Sequence, residues 1–182
     1  GTVTVRRSST PAPVLTLTGP VDGTITRESF VTVSGSATGQ DPLSVTVNGQ
    51  AATVTNGTFS YPLALPEGST TITVVATDGA GRSDQNVVTA TRDSVVPQVA
   101  ITSPATGSAL PTAFPTLAAT YFDPAPSSKL DLASFEALLD GQSVRDLFAV
   151  SADQATATIA TSLTEGSHQL VIRIKDLAAG VG

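Results

Sequence analysis

The sequence predicts an all-β protein that consists of two β-sandwich units in tandem. Thr, Val, Gly and Pro are frequent whereas Trp, Met and Cys are absent, and this composition favours strands and turns over helices. A pattern of turn, long alternating strand and acidic turn occurs twice, over residues 67–81 and again over residues 165–179. Short alternating runs recur at a spacing of roughly 8 to 12 residues, which is typical of the strands of a sandwich.

The repeated pattern shows how the two units correspond. Residues 67–69 and 165–167 both read Glu-Gly-Ser, and from there the two copies align without a gap. Nearer the start of each unit Phe30 matches Phe114, and these two residues lie closer together in the sequence than Glu67 and Glu165 do. The second unit therefore carries insertions. The first insertion, over residues 121–134, is predicted to be a surface loop with a helical turn in its last four residues.

The repeat also predicts the domain boundaries and an incomplete second unit. The predicted organisation is an N-terminal strand over residues 1–9, a first domain over 10–93 and a second domain over 94–182. The last strand of the first domain, residues 86–91, has a counterpart that would begin beyond Gly182, so the second domain is predicted to lack its final strand. Applied backwards from that strand, the offset between Phe30 and Phe114 leads to residues 2–7, which resemble a final strand with no domain of their own.

Two interpretations follow from this arrangement. In the first, the chain is part of a longer array, and neighbouring modules of the same polypeptide complete both ends. In the second, the N-terminal strand of one subunit pairs with the exposed penultimate strand of the next subunit, because an open sheet edge above an apolar core invites pairing. Such subunits would form a head-to-tail homopolymer. The predicted strand-exchange interface comprises Thr2, Val3, Thr4, Val5, Arg6, Arg7, Ser167, Gln169, Val171, Arg173 and Lys175.

Charge and composition exclude several classes of function. The chain has 9 basic and 15 acidic residues and a net charge of -6, and nucleic-acid binding needs a positive surface instead. No uninterrupted apolar run is long enough for membrane insertion. The absence of cysteine excludes disulfides, thiol catalysis and thiolate metal sites.

Few residues suggest catalysis. His168 is the one histidine, and no serine lies in a nucleophile-elbow pattern, so a solvent-facing strand histidine is predicted rather than a member of a catalytic triad. Asp123, Asp131, Glu136 and Asp140 could supply a pair of carboxylates for glycoside hydrolysis, but that chemistry needs a deep cleft, which small sandwiches lack. No catalytic residue and no enzymatic activity are therefore predicted.

Calcium is the one cofactor that the sequence leaves open. Asp78, Asp84 and Asp93 lie near the end of the first domain and the linker, where loop oxygens could bind a hard cation. However, the sequence has no closely spaced Asp-x-Asp series, and aspartates in tight turns usually bond their own backbone. Asp22, Asp78, Asp140 and Asp176 are interpreted as turn formers, and no metal ligand or cofactor is assigned.

Three turn motifs recur in the chain. They are an Asn-Gly or Asp-Gly pair at residues 48–49 and 140–141, Glu-Gly before a long strand, and Asp-Gly-Ala-Gly at residues 78–81 after it. Together they resemble the turns of tandem bacterial Ig-like modules of secreted and surface proteins. The resemblance implies two Greek-key Ig-like β-sandwich domains, the second lacking its last strand, at an extracellular or cell-surface location.

The same resemblance implies a structural role, either as a stalk module or as a filament subunit that assembles head to tail by β-strand complementation. The alternative is a carbohydrate- or protein-binding accessory module of a larger secreted enzyme or adhesin. In that case the loop that starts with Tyr121, Phe122 and Asp123 is the expected contact surface for the ligand.

Overall fold

The computed structural model describes residues 1–3 and 11–178. Its regular structure is made of strands and one short 3₁₀ helix, Arg145–Leu147, which confirms the all-β prediction. The chain divides into two compact units: unit 1 is Gly1–Thr24 with Glu28–Thr91, and unit 2 is Ile25–Arg27 with Arg92–Gly182. The predicted N-terminal strand lies mostly outside the described residues.

Unit 1 contains two sheets. These sheets comprise nine strands, and β2 lies at the boundary because its last two residues are assigned to unit 2. The strands are β1 (Val14–Gly19), β2 (Thr24–Thr26), β3 (Phe30–Thr38), β4 (Ser44–Val47), β5 (Gln50–Ala52), β6 (Val54–Thr55), β7 (Thr58–Ala64), β8 (Gly68–Thr77) and β9 (Ser83–Arg92). One sheet has the strand order β1-β3-β7-β6 and the other has the order β2-β9-β8-β4-β5. Alternate side chains of both sheets point into a shared core, in which Val33, Val47, Ile72 and Val74 are fully buried.

The described part of unit 2 repeats this plan with seven strands. They are β10 (Gln98–Ser103), β11 (Thr116–Phe122), β12 (Leu130–Leu139), β13 (Gln142–Ser143), β14 (Ala149–Val150), β15 (Gln154–Thr158) and β16 (Leu170–Asp176). The sheets have the orders β10-β11-β15-β14 and β13-β12-β16, which match β1-β3-β7-β6 and β5-β4-β8 of unit 1. Within the described part of the chain, unit 2 has no counterpart of β2 or β9.

The pairing of the first strands shows the duplication residue by residue. Leu15 of β1 pairs with Ala37 of β3, and Val99 of β10 pairs with Tyr121 of β11. Both partners are therefore displaced by the same offset that relates Phe30 to Phe114 in the sequence. Both pairs also shift register near the end of the first strand. Corresponding positions of the two units can thus be compared directly.

The prediction of a helical turn at residues 131–134 was wrong, because these residues lie inside strand β12. The pairing of β12 with β16 shifts register between Asp131 and Glu136. Within this irregular stretch the Ala133 N–H donates to Asp131 Oδ1 at 3.1 Å, and the Ser134 hydroxyl donates to the Asp131 carbonyl at 2.6 Å. Short polar side chains thus bond the local backbone in a strand bulge, which has the same local sequence preferences as a turn.

Aromatic side chains fill much of the core of unit 2. The ring of Phe135 lies 6.0 Å from that of Tyr121 and 5.5 Å from that of Phe148, measured between centroids. The guanidinium carbon of Arg145 lies 5.5 Å from the centroid of the Phe135 ring. Unit 1 instead fills its core mainly with aliphatic side chains.

Candidate functional site

The edge of β16 is the feature that distinguishes the two units most clearly. In unit 1 the matching strand β8 lies between β9 and β4 and is hydrogen-bonded to both. In unit 2, β16 is hydrogen-bonded to β12 and is the outermost of the described strands in its sheet. The outer backbone groups of such a strand form a template on which another strand can pair.

Apolar side chains near this edge are more exposed than their counterparts in unit 1. Leu15 of β1 is 5% exposed, whereas Val99 at the matching position of β10 is 36% exposed. Ile72 of β8 is fully buried, whereas the aligned Leu170 of β16 is only half-buried. The next inward position of β16 shows the same difference, so apolar surface of both sheets that unit 1 buries is open in unit 2.

A groove lies where unit 1 has the second half of β9. In unit 1 the Gly23 N–H donates to the Thr89 carbonyl of β9 at 2.9 Å, and Asp22 Oδ1 accepts bonds from the Thr89 N–H and hydroxyl at 2.8 and 2.9 Å. The matching residues of unit 2, Thr106 and Gly107, line a groove of about 940 Å³. Its apolar lining includes Ile101, Leu110, Leu139, Leu163 and Leu170.

The structure places part of the predicted strand-exchange interface beside this groove. Val171, Arg173 and Lys175 lie in β16, and Ser167 and Gln169 precede it. Thr2 and Val3 are exposed, while Thr4, Val5, Arg6 and Arg7 lie outside the described residues. The exchange of strands therefore stays a prediction.

His168, which also lines the groove, is held by two acceptors. Its Nδ1 lies 2.6 Å from Asp140 Oδ2, and its Nε2 lies 2.9 Å from the Thr164 carbonyl oxygen. A ring that faces acceptors with both nitrogens can satisfy them only when it carries both protons. The hydrogen bond to Asp140 accordingly raises the pKa of His168, and the same bond lowers the pKa of Asp140. Both ring nitrogens of His168 are thus engaged in hydrogen bonds, which leaves neither of them free to act as a general base.

Three carboxylates meet at the end of unit 2 where β16 ends. Oxygens of Asp93, Asp123 and Asp176 all lie within 4.8 Å of one another, and Asp93 and Asp176 are fully buried. Asp93 accepts bonds from the Ser128 N–H at 2.7 Å and from the Val95 N–H at 3.1 Å. The Oδ1 atom of Asp123 is buried and accepts no hydrogen bond from the residues that the structure describes.

These three residues could hold a hard cation such as Ca²⁺, which prefers several carboxylate oxygens from loops. They are not the set that the sequence suggested for calcium. Asp84 Oδ2 accepts a bond from the Leu15 N–H at 2.8 Å, and Asp78 is paired with Arg82. Of the suggested residues, Asp93 is the one that lies in the cluster.

In unit 1, the buried aspartate at the matching strand end is paired with an arginine. Asp78 accepts bonds at 3.0 and 2.7 Å from Nε and a terminal nitrogen of Arg82. Burial raises the pKa of Asp78, but the hydrogen bonds from Arg82 outweigh that effect and the net pKa is lowered. In the sequence the residue aligned with Arg82 is Gly180, and Asp176 is aligned with Asp78. At the matching position of unit 2, Asp176 lies close to two other carboxylates, those of Asp93 and Asp123.

The candidate ligand loop does not present its first residue to solvent. Tyr121 is 2% exposed, and its hydroxyl lies 2.8 Å from the Ser151 carbonyl oxygen and 2.7 Å from that of Gln154. Its position as an inward residue of β11 corrects the expectation of a surface contact. Phe122 is 57% exposed and does face solvent. Asp123 Oδ2 accepts bonds from neighbouring loop residues and belongs to the carboxylate cluster.

The carboxylates considered for glycoside hydrolysis each have other roles. Asp140 binds His168, Glu136 Oε2 accepts a bond from Arg173 at 2.9 Å, and Asp131 bonds the backbone of its bulge. Sequence reasoning missed Asp176 and Ser128 as members of the buried cluster. The sequence did contain a signal for Asp176. It aligns with Asp78 at the end of the repeated strand, but the residue four positions later is a glycine where the first copy has Arg82.

The family model of glucodextranase domain B matches residues 13–94, which include strands β1 to β9. The chain is also 42% identical over 69 residues to Bacillopeptidase F of Bacillus subtilis (strain 168). That alignment covers 38% of this chain and 5% of the relative, so the chain spans a small part of the curated relative that it matches.

Solved structures with the same fold contain Ig domains. A three-Ig structure of titin, an E-to-A mutated variant, matches with a TM-score of 0.61 and 11% identity and covers 93% of this chain and 66% of that one. An I-band fragment of titin matches with a TM-score of 0.57 and 12% identity, covering 92% of this chain and 66% of that one. At such low identity these matches show the fold and nothing of the function. No helix among the described residues is long and apolar enough to cross a membrane.

Proposed function

We propose that this chain, a tandem of Ig-like β-sandwich modules, is a non-catalytic accessory segment of a larger extracellular protein. The observation that carries the proposal is the match of unit 1 to domain B of a glucodextranase together with a local match to a peptidase. Two enzymes of different chemistry share this type of module, which supports a role that is separate from either reaction.

The chemistry of the described side chains supports a non-catalytic role. Both ring nitrogens of His168 face acceptors, and the carboxylates that could have formed an acid–base pair bind other groups. Polymers such as glucans and proteins are too large to cross a membrane, so enzymes that degrade environmental polymers work outside the cell. This supports an extracellular location for the modules.

Turnover assays test the non-catalytic part of the proposal. The chain is incubated with a glucan and with a protein substrate, beside a His168→Gln variant. We expect no product from either protein. Product from the unmodified chain that disappears in the variant would contradict the proposal.

Binding assays test whether the accessory role includes a ligand. Phe122 is the exposed aromatic of the candidate loop, so sugar or peptide binding through this loop is expected to weaken in Phe122→Ala. Phe30 of unit 1 is 61% exposed, and Phe30→Ala is the matched control. A glycan array with no binding to the unmodified chain would leave a spacer role for the modules.

The outer edge of β16, which pairs with no further strand among the described residues, favours a second candidate, a filament subunit joined by strand complementation. Its test is the removal of residues 1–9 followed by electron microscopy of negatively stained samples. Filaments that disappear with the deletion would support this role, and filaments that persist would contradict it.

A further inference from the structure

We infer that Asn56 is a site of spontaneous deamidation, at which the backbone of the chain itself and water convert the side-chain amide into a carboxylate. Asn48 is followed by glycine as Asn56 is, but its hydrogen bonds protect it from the same reaction. The inference concerns the lifetime of unit 1 and therefore goes beyond the accessory role.

The two Asn-Gly turns of unit 1 form a matched pair. Residues 48–49 connect β4 to β5, and residues 56–57 connect β6 to β7. The φ values are 47° and 79° in the first turn and 51° and 74° in the second, as in two-residue hairpins of type I′. The following residue and the backbone conformation are thus shared, so a difference in reactivity has to come from the contacts of the side chains.

The reaction is a cyclisation followed by hydrolysis. The Gly57 nitrogen gives its proton to hydroxide and forms a bond to Cγ of Asn56, while the bond from Cγ to Nδ2 breaks. The amide nitrogen leaves as ammonia with a proton from water. A water molecule then opens the cyclic imide at one of its two carbonyl carbons, which yields aspartate or isoaspartate. Glycine favours the first step because no side chain hinders the approach of its nitrogen.

Hydrogen bonds to β8 protect Asn48. Its Nδ2 donates to the Thr71 carbonyl at 3.2 Å, and its Oδ1 accepts a bond from the Thr73 N–H at 2.8 Å. The Asn48 N–H also donates to the Thr73 carbonyl at 2.8 Å. Cyclisation at Asn48 would remove Nδ2 and turn Cγ towards Gly49, so both side-chain bonds would be lost on the way.

The side chain of Asn56 has no such restraint. Asn56 is exposed, and within the described ranges of the chain its side chain forms no hydrogen bond. Other groups hold this turn. The Thr58 hydroxyl donates to the Thr55 carbonyl at 2.9 Å, and the Gly57 carbonyl accepts a bond from the Ala37 N–H at 2.9 Å. The amide of Asn56 can therefore rotate towards the Gly57 nitrogen without breaking a hydrogen bond.

The reaction is expected to loosen unit 1. Isoaspartate places the side-chain methylene in the main chain, which lengthens the turn between the paired residues Thr55 and Thr58. The Gly57 carbonyl then moves relative to the N–H of Ala37, which is a buried core residue. Residues 92–182 contain no asparagine, so this change is confined to unit 1.

Peptide mapping by mass spectrometry tests the inference on the full chain, incubated in mildly alkaline buffer with and without concentrated urea. In the folded chain we expect Asn56 to react roughly ten- to a hundredfold faster than Asn48, which is the factor that two hydrogen bonds supply. In urea the two sites should react at similar rates, because both precede glycine. Asn86, which precedes Val87, is the slow reference in both conditions.

The opposite results would overturn the inference. Equal rates at Asn48 and Asn56 in the folded chain would show that the hydrogen bonds give no protection. An Asn56 that stays unchanged in the folded chain, while the unfolded chain reacts, would remove the site. A difference between the two sites that persists in urea would show that the folded structure is not its cause.

The Asn56→Gly variant tests the consequence for stability. Its turn of two glycines still favours positive φ values and has no amide to lose. After alkaline incubation, unit 1 of the unmodified chain should unfold at a lower urea concentration than before, whereas unit 1 of Asn56→Gly should not change. An equal loss of stability in both proteins would contradict the role of Asn56.

Discussion

Replacing Tyr121 with phenylalanine tests whether this side chain holds the core of unit 2 together. The ring is buried, and the hydroxyl lies within hydrogen-bond distance of two carbonyl oxygens, those of Ser151 and Gln154. The substitution removes the hydroxyl while the ring can keep its contact with Phe135, at 6.0 Å between centroids. Two acceptors then lose the donor that they share.

The expected cost follows from this geometry. Losing a buried hydrogen bond and leaving its acceptors without a donor lowers the free energy of unfolding by about 1 to 2 kcal/mol. In a unit of this size, each kcal/mol lowers the midpoint of thermal unfolding by roughly 4 to 8 °C. Tyr121→Ala also removes the ring and should cost roughly 3 to 5 kcal/mol, as large aromatic truncations do. Burial raises the pKa of Tyr121, so the hydroxyl keeps its proton at neutral pH.

Urea unfolding followed by NMR measures this cost for each unit separately. Tyr61→Phe is the matched control in unit 1, where Tyr61 is half-buried, and it should leave unit 2 unchanged. A Tyr121→Ala variant that costs less than about 1 kcal/mol would refute the assignment to the core. Weaker ligand binding by Tyr121→Phe at unchanged stability would refute it as well.

Three further predictions concern charge and close packing. The pKa of His168 is raised, so its ion pair with Asp140 stabilises unit 2 fully below pH 6.5 and loses that effect as the pH rises through the folded-state pKa. An NMR titration should show a pKa of His168 above 6.5, and Asp140→Asn should lower that pKa. Equal pKa values in the two proteins would contradict the pairing. Gly35→Ala should destabilise unit 1 by more than about 1 kcal/mol in chemical unfolding, because the added carbon meets the carbonyl oxygen of Thr16. The reverse change at the matching position of unit 2, Ala119→Gly, should cost roughly 0.5 to 1 kcal/mol. A Gly35→Ala variant of unchanged stability would disprove the close approach. Calcium added to chelator-treated protein should raise the midpoint of thermal unfolding of unit 2, and it should leave that midpoint unchanged in the Asp123→Asn variant. A calorimetric titration that shows no heat of binding would contradict the cation site.

The tandem fold could be predicted from the sequence because it depends on patterns that are local or repeated. Alternation of apolar residues, as in Val45 and Val47, assigns the faces of the strands, and Asn-Gly turns such as Asn48-Gly49 adopt the positive φ values that a two-residue hairpin requires. The offset read from Phe30 and Phe114 is the one that relates the pairing of β1 to that of β10.

The candidate site could be predicted only in part. The burial of Tyr121 does not follow from the repeat, because the insertion hides the fact that this residue is still on the inward face of β11. Residues 131–134 have the local preferences of a turn, and pairing with β16 makes them a strand instead.

The sequence by itself determined that this protein is a duplicated β-sandwich, since alternation and turn chemistry act between neighbours along the chain. Only the tertiary structure decided that Asp93, Asp123 and Asp176 meet, and that Asp78 faces Arg82 instead. The physical reason is that a carboxylate acquires its role from the groups that burial brings close to it, and for the cluster these groups come from distant parts of the chain.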